Sequence, residues 1–247
     1  TLAATTGVAA ATSAYSATGG TGALTFSLTG APTGVTIGSS SAIVSVATTT
    51  APGTYSITVV ATDTNGATGS APLELTVNVA IAVTGDATLI TTTAIAAATT
   101  AYSATGGTGA LTFSATGTTA DITFDPATKI ISVATTATAG TYPITITVTD
   151  TLGAIGSLAV SITVASGISV TTSIPATALT INRAATEFIP VTATAGVGPY
   201  LYAIDKPLPA GLSFNTATGA ITGTATESSV QTTYTITATD TNGSTGS

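Results

Sequence analysis

The 247 residues contain no cysteine, histidine, methionine or tryptophan, and only three lysines and arginines together. Each absence removes a class of chemistry. Without cysteine no disulfide staples the chain and no thiolate can act. Without His, Cys or Met, zinc, copper, haem and iron–sulfur centres lose nearly all their usual ligands, which leaves oxygen-loving cations such as calcium. A formal net charge of −7 and a pI near 4.1 offer no basic surface to neutralise phosphates. Nucleic acid is therefore excluded as a partner, and so is a polybasic hold on a lipid surface. The mean hydropathy is high, at +0.58, but it comes from Ala and Val dispersed among Thr, Ser and Gly. No run approaches the roughly 20 apolar residues that a spanning helix needs, so this segment does not insert in a membrane. The chain opens at Thr1 with neither an initiator Met nor a signal-peptide pattern, and reads as a processed protein or a segment of a larger one.

What is present is a repeat. AYSATGGTGALTFS at Ala14 recurs unchanged at Ala101, and GTYSITVVATDTNGATGS at Gly53 recurs as GTYPITITVTDTLGAIGS at Gly140, both 87 residues later. A more diverged third copy places ATAGVGPYLYA at Ala193 and TDTNGSTGS at Thr239. Solenoid repeats run about 20–50 residues, so this period means whole domains in tandem. Within each copy the apolar residues alternate: Tyr55, Ile57, Val59 and Ala61; Tyr142, Ile144, Ile146 and Val148; Tyr234, Ile236 and Ala238. Period two puts one face of a strand inward and the other outward. Thr and Val suit strands intrinsically. Turn signals such as Gly19-Gly20, Asn65-Gly66 and Pro209-Ala210-Gly211 follow at short intervals, and nothing carries a helical period. The expected fold is all-β, an array of antiparallel β-sandwiches.

The last third carries a more specific signature. LPAGLSF at Leu208, then N-x-x-T-G-x-I-x-G-T from Asn215 to Thr224, then an alternating strand from Tyr234 into T-D-x-N-G, resembles the tandem immunoglobulin-like, dystroglycan-type cadherin-like repeats of bacterial and archaeal surface proteins. The first copy keeps Pro32, Gly34, Val35 and Ile37; the second keeps Ile122, Phe124 and Asp125 but loses the Pro-x-Gly. The resemblance implies extracellular or cell-surface Ig-like (cadherin-like) modules serving as spacers, stalks or adhesive surfaces. It does not imply an enzyme.

The repeat frame predicts three domains, 1–80, 81–167 and 168–247. In the complete junction a strand from Ala71 to Ala80 closes the first domain and Ile81 to Ala87 opens the second, while Thr88-Leu89 aligns with Thr1-Leu2. On that alignment the first domain lacks its opening strand and the third its closing strand. Either the chain continues at both ends, the favoured reading, or a neighbouring subunit donates the strand. Self-association or neighbouring repeats of the same chain are thus the expected partners, with surface glycans as an alternative.

No catalytic, cofactor-binding or metal-binding residue is assigned. Asp63, Asp150 and Asp240 are repeat-equivalent and sit in separate domains, so they cannot form a carboxylate pair. Ser and Thr lack a histidine base, and Lys129, Arg183 and Lys206 are isolated. The glycine-rich AYSATGG segments lack the lysine and helix of a phosphate loop. Calcium would draw on Asp63 with Asn65, Asp240 with Asn242, and Asp86, Asp121 or Asp125, but Leu152 replaces the Asn in the second repeat; a turn, with Asp bonding its own backbone, is the favoured reading. Neither a Lys–Asn or Lys–Asp amide nor a Thr–Gln ester is general, because the first repeat has no Lys and Gln231 is the only Gln. Asn242-Gly-Ser is a formal glycosylation sequon. Leu24, Phe26, Val35, Ile37, Ile43, Val46, Tyr55, Ile57, Val59, Leu73, Leu75 and Val77 form the expected first core, with Leu111, Phe113, Tyr142 and Ile144 among the counterparts in the second, beneath a surface of Thr and Ser. Three roles follow: a structural module of a filament, stalk or surface layer; adhesin repeats binding glycans or a host protein, with Tyr200 and Tyr202 as candidate sugar platforms although their spacing of two more simply places them on one face of a strand; or spacer domains of a larger secreted enzyme.

Overall fold

A computed structural model describes all 247 residues, Thr1 to Ser247, as strands and turns without a helix. The first repeat holds β1 (Leu2–Thr5), β2 (Ala10–Ala11), β3 (Thr25–Thr29), β4 (Val35–Ile37), β5 (Val44–Val46), β6 (Gly53–Thr62) and β7 (Thr68–Asn78). These make a four-stranded sheet β1-β7-β6-β3 and a three-stranded sheet β2-β5-β4. The second repeat holds β8 (Ala82–Thr84), β9 (Thr88–Thr92), β10 (Ala97–Ala98), β11 (Ser103–Thr105), β12 (Thr112–Thr116), β13 (Ile122–Asp125), β14 (Ile130–Val133), β15 (Gly140–Thr149) and β16 (Ile155–Ala165). It repeats both sheets, as β12-β15-β16-β9 and β10-β14-β13, and adds the pair β11-β8. The third holds β17 (Ser169–Thr172), β18 (Ala184–Phe188), β19 (Val191–Thr194), β20 (Leu201–Ile204), β21 (Leu212–Phe214), β22 (Ile221–Thr224), β23 (Ile236–Thr239) and β24 (Thr245–Gly246). Its sheets are β20-β23-β24, β18-β22-β21 and β17-β19.

The long hairpins explain the cores. Along β6 the side chains of Ile57, Val59 and Ala61 are buried while Ser56 and Thr54 face out, and β7 answers with Leu73, Leu75 and Val77. Val35, Val44 and Val46 of the second sheet close over them in one apolar cluster, so the two sheets form a sandwich. The equivalent cluster of the second repeat is larger, with Tyr102, Ile122, Ile131, Ile144, Ile146 and Ile162 at 0–2% exposure. Each such side chain is worth about 1.5–3 kcal/mol on burial. The third repeat is thinner: of its buried apolar residues Val191, Ala220, Ile221, Ala225, Ile236 and Ala238, three are alanines.

Four features differ from the sequence reading. β1 runs parallel to β7, with Leu2 opposite Leu75, and β9 runs parallel to β16, with Leu89 opposite Ile162; alternation fixes which face is buried and is silent on strand direction. Ile43 is exposed, because Val44 and Val46 take the inward phase of β5 and Ile43 is one residue out of step. The two junction strands do not meet at Ala80-Ile81: pairing stops at Asn78 and resumes at Ala82, and Val79 is exposed. Finally, Thr is not only surface. Thr5, Thr50, Thr91, Thr92 and Thr99 are buried.

Candidate functional site

The residues that join one repeat to the next are built on the Thr-Asp-x-x-Gly turn. In each copy the Asp Oδ1 accepts two backbone N–H groups of its own turn: Asn65 and Ala67 on Asp63, Leu152 and Ala154 on Asp150, Asn242 and Ser244 on Asp240, at 2.8–2.9 Å. The glycine of the turn, Gly66, Gly153 or Gly243, has φ between +84° and +88°, the left-handed region where a Cβ is strained. Leu152 donates as Asn65 and Asn242 do, so the turn needs no Asn side chain. In each copy Oδ2 accepts an N–H from the glycine-rich loop: Thr21, Thr108 or Val197.

In two of the three copies a second donor reaches Oδ2 from the preceding repeat. The hydroxyl of Thr5, at the end of β1, donates to Asp150 at 2.6 Å, and that of Thr92, at the end of β9, donates to Asp240 at 2.6 Å. The Asn78 amide donates to the Thr108 hydroxyl, which lies 2.7 Å from that of Thr5, and the Asn242 amide donates to the Thr92 hydroxyl. Asp150 and Asp240 are 6% and 5% exposed, Thr5 and Thr92 1% and 0%. Burial works to raise both carboxyls. The Thr hydroxyl and the backbone N–H groups together outweigh it and hold both below the ordinary carboxylate range. Asp63 is lowered chiefly by the N–H groups of Thr21 and Ala67, against its own burial. These carboxylates are therefore charged, desolvated and fully engaged by donors: they hold parts together.

The other candidate oxygens are engaged likewise. Asp86 accepts the N–H and hydroxyl of Thr100, Asp125 caps Ala127 and Thr128, and Asp121 bonds the Thr136 hydroxyl. The Lys129 ammonium stands 4.6 Å from the centre of the Phe113 ring, and Lys206 makes an exposed ion pair with Asp205 at 3.5 Å. Tyr200 stands just before β20 and donates its hydroxyl to the Ala195 carbonyl, while the Tyr202 ring lies against Gly219. The sequon amide of Asn242 points into the second joint. Sequence reasoning assigned the aspartates to turns and missed Thr5 and Thr92, their partners 145 and 148 residues away. The available signal was the recurrence of Thr5 at Thr92 in the same frame as Asp63 at Asp150.

Paired sheets repeated in tandem and pinned to one another at buried carboxylates define an array of immunoglobulin-like β-sandwiches. The chain belongs to the family described as Putative Ig domain, whose profile matches residues 2–78 and 167–247. The middle copy, without the Pro-x-Gly, lies outside both matches. No curated protein matches the chain. Similar solved structures include mouse Cadherin-23 EC22-24 (20% identity, 88% of this chain and 80% of that one, TM-score 0.32). Two others are the titin I-band fragment I67-I69 (12%, 97% and 90%, 0.44) and extracellular domains 3-5 of Drosophila OTK (13%, 98% and 91%, 0.36).

Proposed function

We propose that the chain is a structural module of an extracellular filament, stalk or surface layer, with domains at 1–80, 81–167 and 168–247 completed and locked by their neighbours. Tandem Ig-like domains are structural or adhesion-type modules, and within that class the joints favour the structural role. The observation that carries it is the pair of Thr-to-Asp bonds, Thr5 to Asp150 and Thr92 to Asp240, each buried and each between successive repeats. At both joints the buried polar groups fix one repeat on the next. The short connection supports the same reading, since β8 of the second repeat follows β7 of the first after three residues and pairs with β11 of its own repeat. Electron microscopy of the protein at the cell surface and after purification is the test. End-to-end polymers or ordered arrays are expected; dispersed monomers at every concentration, together with selective binding on a glycan array, overturn the reading.

A further inference from the structure

β3, β12 and β20 are equivalent edge strands, each paired on one side only, with β6, β15 and β23. Phe26, Phe113 and Tyr202 hold the same register in them, opposite Ala61, Val148 and Ala238. In the first repeat the Phe26 N–H points away from β6 and donates to the Ser39 carbonyl at 2.9 Å; in the third the Tyr202 N–H donates to the Thr216 carbonyl at 2.7 Å. The loop after the next strand thus closes the edge. In the second repeat the residue 87 positions after Ser39 is Pro126, and no bond joins its carbonyl to Phe113. Backbone groups alternate sides along a strand, so the N–H and carbonyl groups of Phe113 and Ala115 face away from β15 without a partner.

The side chains open the same edge. Ala115 stands where the other repeats carry Leu28 and Ile204, and a cleft of about 350 Å³ lies there, bounded by Phe113, Ala115, Thr123, Phe124 and Pro126. An unpaired edge is ordinarily defended by a charge, a proline or a bulge. β12 reads TFSAT, with neither charge nor proline, and its register with β15 is unbroken. Close by, the Lys129 ammonium stands 4.6 Å from the centre of the Phe113 ring and makes no ion pair. It is the only cation in the first two repeats.

We infer that β12 is the edge through which two copies of this chain pair, antiparallel, about a two-fold axis at Ser114. The exposed groups are self-complementary: with Ser114 opposite its own copy, Phe113 of each chain faces Ala115 of the other, and four backbone hydrogen bonds join the two four-stranded sheets into one. On the inner face the pairing sets a large side chain against a small one, which Leu28 and Ile204 would not allow in the first and third repeats. Charge selects the same occupant. A chain of net charge −7 meets its copy here without a carboxylate in the ladder, and the unpaired Lys129 attracts an acidic partner. The pairing goes beyond the joints: they act along one chain, and this edge acts between chains.

The test uses the intact protein, whose lack of cysteine makes an introduced thiol unique. Opposed residues at such a position lie about 4.5 Å apart between Cα atoms, within disulfide reach. Ser114→Cys should therefore cross-link to its copy under mild oxidation about ten-fold faster than Ser27→Cys, its exposed counterpart on the closed edge of the first repeat. Sedimentation of the unmodified chain should show a dimer forming at roughly 0.1–1 mM, since one edge pairing buries less than the roughly 1,200 Å² of a standard interface. Amide exchange at Phe113 and Ala115 should slow with concentration. Ser114→Glu sets like charges opposite each other, and Ala115→Pro removes an outward N–H; each should weaken the dimer about ten-fold or more. Unchanged β15 amide signals verify folding in both. Equal cross-linking at positions 27 and 114, or self-association that ignores both substitutions, overturns the inference, as does a chain that stays monomeric while Ser114→Cys cross-links to a different protein. Dimers without end-to-end polymers would sink the filament reading alone; end-to-end polymers of chains that never pair at β12 would sink this edge alone.

Discussion

At Asp150 and Asp240 one carboxylate oxygen serves the turn and the other serves the joint. Thr5→Val keeps the shape but removes the hydroxyl, leaving a buried anion one donor short at a cost of about 1.5–3 kcal/mol. Calorimetric unfolding of the Thr5→Val protein should show that loss. The acid limb follows from the same bonds. Both carboxyls are lowered in the folded chain, so their contribution is complete above the unfolded Asp value of about 3.9 and is lost as pH falls through the lower folded values. Thr5→Val lets the Asp150 value climb back, so its acid unfolding should begin at higher pH than that of the parent. Thr50 presents the opposite case. Its buried hydroxyl has no partner, and the second repeat places Ala137 at the same point. Thr50→Val removes an unsatisfied polar group without changing shape, and should raise the stability of the first repeat by about 1 kcal/mol in chemical denaturation.

Among elements, the contrast is between β15 with ten residues and β23 with four. β9 finds its partners in Ser161–Ala165. Leu179–Asn182, which align with β9 in the third repeat, are not in a strand. Amides of β23 should exchange about 100-fold faster than those of β15. Appending the sequence of Ala71–Ala80 after Ser247 should slow that exchange and raise the melting temperature of the third repeat, since three more apolar side chains are buried at about 1.5–3 kcal/mol each. The sheets were legible because Ile57, Val59, Leu73 and Leu75 obey period two over long runs. Strand direction was not, since the alternation of Leu2 and Ala4 reads the same whichever way β1 runs. The joints were hidden for another reason: Thr5 and Thr92 look like any other Thr in a Thr-rich chain until folding carries them to their aspartates.

For the whole molecule, the joints should make successive repeats tumble together. NMR relaxation is expected to give one correlation time for the first and second repeats, and separate, shorter ones in the Thr5→Val, Thr92→Val double variant. The parallel placement of β1 beside β7, and of β9 beside β16, bears on pulling. β1 and β7 are the first and last strands described in the first repeat, and they point the same way along Leu2–Thr5 and Leu75–Asn78. When the ends are drawn apart, these strands slide past each other, and their hydrogen bonds share the load at once instead of parting one by one. The second repeat has the same brace. The third does not, so under steady tension it should extend first, at a lower force than either of the others.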